Sequence, residues 1–425
     1  MTKIFAVIFF VLLGMGLPIW LVLGVSAGTM FAVEGKPLVG IAQKMLDELN
    51  STTLLAVPFF VMAASFMQRG GIAKALVDVA AAWIGNVRGG LGVVCVVACA
   101  MFAAICGSSV ATALAMGTIL IPAMIERKYD RPFALGVTAA SGTLGILIPP
   151  SLPLILYAII ADESVPRLFL AGVVPGVMQA ALFVAYVLWY GRRNNLAREP
   201  RRSPEEFRRV NIDAIPALSM PVIIAVGIYG GWVTTTETAA VAAAVALLIS
   251  LFYYKGFKPS ETLTVIGESI KNAGTIMIII ATALAFGHWI TESGIPAALV
   301  QFIRDNGFTA WQFLLAINVM LIILGMFLEV ASILLIAMPI IIPVLKPLGI
   351  DPVHFAIVVT VNMELALITA PVGLNLYVLA SVSKTPIATV IKGVNPFLVI
   401  LLGLLLVITY VPAISLWLPR LVYGS

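Results

Sequence analysis

The sequence predicts an all-α polytopic membrane protein of two inverted repeats, each with a re-entrant helical hairpin and a helix broken by proline. Of its 425 residues, 61% are hydrophobic and 11% are charged, with a mean hydropathy of +1.10, whereas soluble domains are about 45–50% apolar. Pro122 matches Pro343 and Pro150 matches Pro371, in both cases 221 positions later. A long unit has therefore been duplicated, and its interrupted apolar segments indicate the midplane binding site of a secondary transporter.

The first apolar run, Ile4–Val25, is about 20 residues long and lacks the cleavage signature of a signal peptide. It therefore predicts a retained transmembrane helix. The longest polar stretch, Gly191–Arg209, is rich in arginine, so we expect it in the cytoplasm. A second role for it would be a basic tether to the anionic headgroups of the phospholipid bilayer, and nucleic acid is not an expected partner.

Counting crossings outward from this loop predicts the orientation of both repeats. The loops Glu126–Arg131 and Asp162–Arg167 fall on the cytoplasmic and periplasmic sides, as their basic and acidic residues favour. The N-terminus is then cytoplasmic and the C-terminus periplasmic. The second repeat is inverted, because an odd number of crossings precedes it: Leu218–Gly230, Val233–Tyr253 and Thr275–Ile290.

Two kinds of segment flank the predicted breaks. The stretch Gly90–Ile125 is long enough for two helices, with Gly107, Ser108 and Ser109 near its middle. Two full crossings with a buried turn, or a re-entrant hairpin, both fit it; we favour the hairpin, because a polar turn at membrane depth must be buried in protein or line a cavity. Ala73–Val87 and Pro296–Asp305 are half apolar and predict interfacial amphipathic helices, either horizontal braces between a scaffold and a moving part or ordinary connecting helices.

The hairpin tips and the proline breaks are the candidate binding sites. A broken helix frees backbone carbonyls that suit Na⁺, while the next half-helix offers N–H groups to an anion. The alternative is that these small residues only permit close helix packing. The first Na⁺ site is predicted at Gly107, Ser108, Ser109, Thr143, Gly145 and Pro149, the second at Glu329, Ser332, Thr369, Pro371 and Gly373, and the substrate site at Ser109, Thr112, Pro150, Ser332 and Asn375.

Among the titratable residues, two carboxylates lie deep in the second repeat. Glu329 stands at the second hairpin tip and is the stronger functional candidate, while Glu364 is expected to pair within the bundle. Thr234 and Glu237 predict a capping box. His288 and His354 are isolated and predict satisfied or interfacial imidazoles. No catalytic motif and no phosphate-binding loop are found, so we expect no enzyme activity and no direct use of ATP.

Five stretches together resemble the large membrane subunit of tripartite ATP-independent periplasmic (TRAP) transporters. The resemblance runs almost from end to end. The stretches are LLAVPFFVMAASFMQRGGIAKAL from Leu54, GSSVATALAMGTILIP from Gly107, SGTLGILIPPSLPLILYA from Ser141, GGWVTTTETAAVAAAVAL from Gly230 and TAPVGLNLYVLA from Thr369.

The resemblance implies an elevator-type symporter of the bacterial inner membrane, coupled to two or more Na⁺ ions. A small four-helix membrane subunit would complete its scaffold, and a soluble periplasmic binding protein would deliver a carboxylate solute. Two departures concern the second ion site: Thr369-Ala370-Pro371 stands where Thr-Pro-Pro is common, and Glu329 where Asp is usual. The stretch NMELALIT favours sialic acid, with C4-dicarboxylates next. The alternative is a stand-alone ion-coupled carboxylate transporter that needs no binding protein.

These expectations divide the chain into five parts. Residues 1–89 are predicted to form scaffold helices and the first brace, 90–165 the first half of the transport domain, and 166–310 further scaffold helices with the loop 191–209 and the second brace. Residues 311–385 are predicted to form the second half of the transport domain and 386–425 a C-terminal scaffold helix.

Overall fold

The computed structural model describes residues 2–196, residue 198 and residues 202–424, and its regular segments there are all helical. Eight of them are long and apolar enough to cross a membrane. The first ten α-helices are α1 Thr2–Gly14, α2 Ile19–Val33, α3 Leu38–Leu49, α4 Ala56–Arg69, α5 Ile72–Ile84, α6 Gly90–Cys106, α7 Ser109–Glu126, α8 Arg131–Leu147, α9 Leu152–Ala161 and α10 Val165–Arg193.

The second half of the chain repeats this order of a hairpin, a broken helix and a long helix. Short 3₁₀ turns precede α13 and follow α16, and a π-helical turn, Ile249–Tyr253, follows α12. The helices are α11 Pro204–Tyr229, α12 Thr235–Leu248, α13 Thr262–Glu292, α14 Ile295–Asp305, α15 Ala310–Gly325, α16 Val330–Leu345, α17 Pro352–Leu367, α18 Leu374–Ser383, α19 Ile387–Tyr410 and α20 Ala413–Tyr423.

The N-terminal apolar run is two helices and not one. The prediction of a single helix over Ile4–Val25 is wrong, because α1 ends at Gly14 and α2 begins at Ile19. Gly16 has a φ of +72° and Pro18 occupies the N-cap of α2. A left-handed glycine followed by a proline ends one helix and starts the next, since proline has no N–H to continue the ladder.

Both hairpins have a sharp tip. Gly107, with a φ of +68°, ends α6, and the Ser108 hydroxyl caps α7 by accepting from the Ala111 N–H at 3.4 Å. Residues 326–329 join α15 to α16 without a left-handed glycine, and Glu329 at the N-cap of α16 makes no side-chain cap. The helical hairpin is thus confirmed, whereas its re-entrant path through a membrane stays a prediction.

Each half also contains the predicted broken helix. α8 gives way to α9 around a cis Pro149–Pro150 bond, and α17 to α18 around a cis Ala370–Pro371 bond. Each break occupies the same place in its half, because Pro150 and Pro371 are the matched prolines of the sequence. The same spacing relates Pro175 in α10 to Pro396 in α19, so the repeat extends through these two long helices.

Helix packing distinguishes two groups in the described chain. α13 contacts α2 and α4, and α12 contacts α4 and α11, whereas the hairpins and broken helices pack with α10, α19 and α20; α13 also contacts α16 of the second hairpin. α19 lies along α8 at very close range: a Cβ added at Gly136 would stand 2.0 Å from the Gly393 carbonyl oxygen. α10 and α19, which the sequence analysis assigned to the scaffold, thus pack along the broken helices. Which group moves stays a prediction.

The two predicted interfacial helices are α5 and α14. Each begins after a left-handed glycine, Gly71 or Gly294. α5 contacts α6 and α11, and α14 contacts α16 and α13, so each joins a hairpin to the other group of helices. Asp78 on α5 lies 3.9 Å from the Arg202 guanidinium. Burial raises the pKa of the Asp78 carboxyl, and the Arg202 charge opposes this shift.

The polar loop near Arg202 is described only in part. Residues 197 and 199–201 of the arginine-rich stretch Gly191–Arg209 lie outside the described residues.

The capping box predicted at the start of α12 is confirmed: the Glu237 carboxylate accepts from the Thr234 N–H at 2.7 Å, and the Thr234 hydroxyl accepts from the Glu237 N–H at 3.2 Å.

Candidate functional site

The first hairpin tip docks directly on the first helix break. The Leu152 N–H donates to the Gly107 carbonyl oxygen at 3.2 Å. Gly145 of α8 presses on the tip, since an added Cβ would lie 2.5 Å from the Ser108 carbonyl oxygen and 2.7 Å from Thr112 Oγ1. The Thr112 hydroxyl in turn donates to the Ser108 carbonyl at 2.8 Å. The structure thus gathers carbonyl and hydroxyl oxygens where the sequence predicts the first Na⁺ site.

The remaining residues predicted around this tip divide into two sets. The Pro150 carbonyl oxygen is adjacent to the tip, only 2.7 Å from a Cβ added at Gly107. Pro149 lies half-buried in the break itself. Thr143, in contrast, is not part of the cluster: its hydroxyl donates to the Ala140 carbonyl at 2.8 Å and accepts from Gln179 Nε2 at 3.0 Å. Thr143 and Gly145 are two residues apart, about 200° around an α-helix, so they face different neighbours.

The second tip meets the second break through the matching backbone contact. The Val372 N–H donates to the Met326 carbonyl oxygen at 3.2 Å. Glu329 occupies the N-cap of α16 without capping it, and its Oε1 accepts from the Ser332 hydroxyl at 3.3 Å. Glu329 and Ser332, two of the predicted second-site residues, are therefore in contact.

The other three predicted residues of the second Na⁺ site lie on the break. The Thr369 hydroxyl donates to the Leu365 carbonyl at 2.6 Å, and Gly373, with a φ of +42°, starts α18. Pro371 is exposed and Gly373 is buried.

Two of the predicted substrate residues meet across the two halves of the chain. Asn375 Nδ2 of α18 donates to Ser109 Oγ of α7 at 2.8 Å and also approaches the Ala139 carbonyl at 3.3 Å. Ser109 and Asn375 are both buried, and Asn375 Oδ1 has no hydrogen-bond partner among the described residues. This contact brings together the N-terminal ends of α7 and α18, whose free N–H groups favour negative charge.

Each short half-helix packs on the hairpin of the other half of the chain. α18 lies along α7 of the first hairpin, and α9 lies along α16 of the second. Each tip region is consequently built from both halves of the chain, which the spacing of the sequence motifs does not reveal.

Gln179 is a buried polar residue that the sequence analysis missed. It is fully buried in α10 and bonded to Thr143, and both are polar neighbours of the fully buried Glu364. A signal was present: Gln179 is the one amide in the apolar span Val165–Arg193, and polar side chains in such spans usually bond between helices.

His354 is a satisfied imidazole, as predicted. Its Nδ1 lies 2.7 Å from the Ser415 hydroxyl and its Nε2 lies 3.3 Å from the Thr409 carbonyl. His288 lies 3.0 Å from the Glu292 carboxylate near the end of α13. Among the described residues no group of three or more His, Cys, Asp or Glu side chains could hold a metal ion.

Comparison with known proteins gives a family match and curated relatives. Residues 6–414 match the family model described as "Tripartite ATP-independent periplasmic transporter, DctM component". The C4-dicarboxylate TRAP transporter large permease protein DctM of Pseudomonas aeruginosa is 42% identical over 89% of each chain. The sialic acid TRAP transporter large permease protein SiaM of Vibrio cholerae is 33% identical over 95% of this chain and 93% of its own.

A further relative and a solved structure extend the comparison. The isethionate TRAP transporter permease protein DctMQ of Oleidesulfovibrio alaskensis is 35% identical over 96% of this chain, which covers 65% of that protein. The YdaH transporter of Alcanivorax borkumensis has a similar fold, with a TM-score of 0.63 over 89% of this chain and 88% of that one. At 14% sequence identity this likeness concerns the fold alone.

Proposed function

Because the chain belongs to the DctM family of tripartite ATP-independent periplasmic transporters, a multi-pass membrane family of permease subunits, we propose that it is a Na⁺-coupled symporter subunit. It imports a small carboxylate solute across the bacterial inner membrane. The observation that carries this proposal is the meeting of two hairpin tips and two helix breaks in one packed group.

Na⁺ coupling is supported by the chemistry of the first tip. Hard alkali cations prefer several oxygen ligands. The Cys106 thiol also lies at this tip, where it donates to the Ser108 carbonyl at 3.8 Å. The Ser108 carbonyl, the Thr112 hydroxyl and the Pro150 carbonyl are all close to the Gly107–Gly145 contact. The second site would use Glu329 and Ser332 with the carbonyls of the second break. We propose one Na⁺ at each tip.

We propose an elevator motion of the hairpins and broken helices against the other helices. α5 and α14 join the hairpins to α11 and α13, and an open cavity of about 510 Å³ lies between α13 and the pair α9 and α16, beside a direct contact of α13 with α16. In our proposal the two halves have inverted orientations, with the N-terminus cytoplasmic and the C-terminus periplasmic.

The solute is proposed to bind between Ser109 and Asn375, at the converging N-terminal ends of α7 and α18. A carboxylate there would accept from the Asn375 amide and from free helical N–H groups. The higher identity to a C4-dicarboxylate permease than to a sialic acid permease favours a C4-dicarboxylate over the sialic acid that the NMELALIT stretch favours.

Two partners follow from family membership. The relative DctMQ supports a small four-helix membrane subunit as the first partner. Its name combines two membrane components, and this chain covers 65% of its length. A soluble periplasmic binding protein would deliver the solute. The stand-alone carrier remains the alternative, and transport by the reconstituted chain without a binding protein would favour it.

The test is uptake of labelled C4-dicarboxylate or sialic acid into proteoliposomes that contain both membrane subunits and the binding protein. We expect uptake to stop when choline replaces external Na⁺, because no other cation then fills the oxygen sites. Undiminished uptake under a proton gradient alone would contradict Na⁺ coupling. Uptake of sialic acid but not of C4-dicarboxylate would reverse the assigned solute.

A further inference from the structure

A buried polar cluster lies where the two broken helices meet α10. It consists of Thr143 on α8, Glu364 on α17 and Gln179 on α10, and all three side chains are fully buried. Thr143 and Glu364 are 221 positions apart, the spacing of the matched prolines, so they hold equivalent places in the two halves. The duplication has therefore put a hydroxyl and a carboxyl at one junction.

The hydrogen bonds of this cluster leave acceptors unfilled. The Thr143 hydroxyl proton goes to the Ala140 carbonyl, and Gln179 Nε2 donates to Thr143 Oγ1. Both Glu364 carboxyl oxygens and Gln179 Oε1 have no partner among the described residues. A buried acceptor without a donor is costly, and a carboxylate supplies only further acceptors.

Among the described residues no cation compensates a charge at this place. Thr143 and Gln179 are the polar side chains that act on the Glu364 carboxyl, and no charged side chain of the described chain does. Several helices pack against α17, and six of its neighbours and α17 itself carry charged or titratable side chains. These are Arg131 of α8, Tyr157 of α9, Arg167, Tyr186, Tyr190, Arg192 and Arg193 of α10, His354 of α17, Tyr377 of α18, Lys392 and Tyr410 of α19, and Arg420 and Tyr423 of α20.

We propose that Glu364 is a proton-binding site, at which one proton bound to the carboxyl makes it neutral and lets it donate to Gln179 Oε1. The added proton fills one unpaired acceptor and converts one carboxyl oxygen from acceptor to donor. It also removes a negative charge from the apolar interior, where an unpaired ion is unfavourable. The carboxyl O–H then forms a hydrogen bond between α17 and α10.

This inference does not depend on the solute or on Na⁺ coupling. Glu364 is bordered by Gln179 and Thr143, and Thr143 faces Gln179 instead of the first hairpin tip. A Na⁺ ion is the competing occupant of the same cluster, since Glu364, Gln179 and Thr143 all offer oxygen atoms. The experiment must therefore separate a proton from Na⁺.

Infrared difference spectra, wild type minus variant, of the purified full chain in lipid nanodiscs distinguish a bound proton from a bound Na⁺ ion. At neutral pH we expect the C=O stretching band of a protonated carboxylic acid that moves in D₂O and is absent from Glu364→Gln. The matched control is Glu329→Gln, which removes an exposed carboxylate and should keep the band. Absence of the band from the wild-type chain, or its loss when Na⁺ is added at constant pH, would overturn the proposal.

A second variant keeps the test decisive if Glu364→Gln does not fold. Gln179→Leu removes the acceptor and leaves the acid in place. We expect the same band to persist at a shifted frequency, because the carboxyl O–H has lost its hydrogen bond. An unshifted band in Gln179→Leu would show that the proton is not shared with Gln179 and would overturn the proposed contact.

Discussion

The two hairpins share an element order but differ in how tightly they close. In the first, α6 and α7 pack on each other and both lie along α8. In the second, α16 touches α15 and α17 at few positions, although α15 lies along α17. Ser108 of the first tip is half-buried, whereas its equivalent Glu329 in the second tip is exposed, as are Ala370 and Pro371 of the second break. Duplication has therefore preserved the backbone plan and not the enclosure of the site.

The second hairpin borders an open apolar groove. Between α14 and the two hairpin helices lies a cavity of about 380 Å³, lined by residues that include Phe302, Phe308, Phe313 and Ile340. α5, in contrast, packs closely along α6 in the first half. We expect the first tip to behave as a rigid site and the second as the more easily opened one.

The largest effect is expected at Gly145, whose equivalent in the second half is Ala366. Gly145→Ala would place a Cβ 2.5 Å from the Ser108 carbonyl oxygen, and overpacking of this kind costs about 1–3 kcal/mol. Uptake in proteoliposomes should fall by about tenfold or more.

The matched control is Ala366→Gly, which removes the methyl group that the second half tolerates. It should cost only about 0.5–1 kcal/mol through backbone entropy. Equal losses of uptake in the two variants would show that the second tip is as closely packed as the first.

An intermediate effect is expected at the contact between the halves. Asn375→Ala removes the hydrogen bond to Ser109, worth about 0.5–1.5 kcal/mol. The KM for the solute should rise up to about tenfold while the Na⁺ dependence of uptake stays unchanged. Tyr377→Phe, at an exposed neighbour whose hydroxyl is 3.4 Å from the Pro371 carbonyl, should leave the KM unaltered. A changed Na⁺ dependence in Asn375→Ala would place this residue in an ion site.

The smallest effects on uptake are expected at two equivalent tip positions, Ser108 and Glu329. Ser108→Ala removes a hydroxyl from the closed tip, and its loss of a helix cap costs about 1 kcal/mol. We expect the Na⁺ concentration for half-maximal uptake to rise about fivefold. Ser203→Ala, which removes the cap of α11 far from the tips, controls for lost helix stability.

Glu329→Gln should shift the same Na⁺ concentration less than Ser108→Ala does. The Glu329 carboxylate is exposed, so water and salt screen its attraction for the ion. A larger shift in Glu329→Gln would reverse the comparison and make the open tip the tighter Na⁺ site.

Local backbone chemistry was readable from the sequence alone. The sequence predicted the tip at Gly107, the breaks at Pro150 and Pro371, and helices after Gly71 and Gly294, and the structure contains each of them. Proline removes a donor and glycine permits a positive φ within a single turn, so their effect does not depend on distant contacts. The same reasoning applied to Pro18 would have divided the first apolar run, whose continuous hydropathy concealed the break.

Tertiary packing alone decided which faces meet. Thr143 turns to Gln179 and not to the hairpin tip, α10 and α19 pack along α8, and Asn375 reaches Ser109 across the two halves. A membrane helix that is apolar on every side has no stripe to mark its buried face, so periodicity carries no orientation. The enclosure of each site therefore depends on contacts between residues far apart in the chain, and only the three-dimensional structure specifies them.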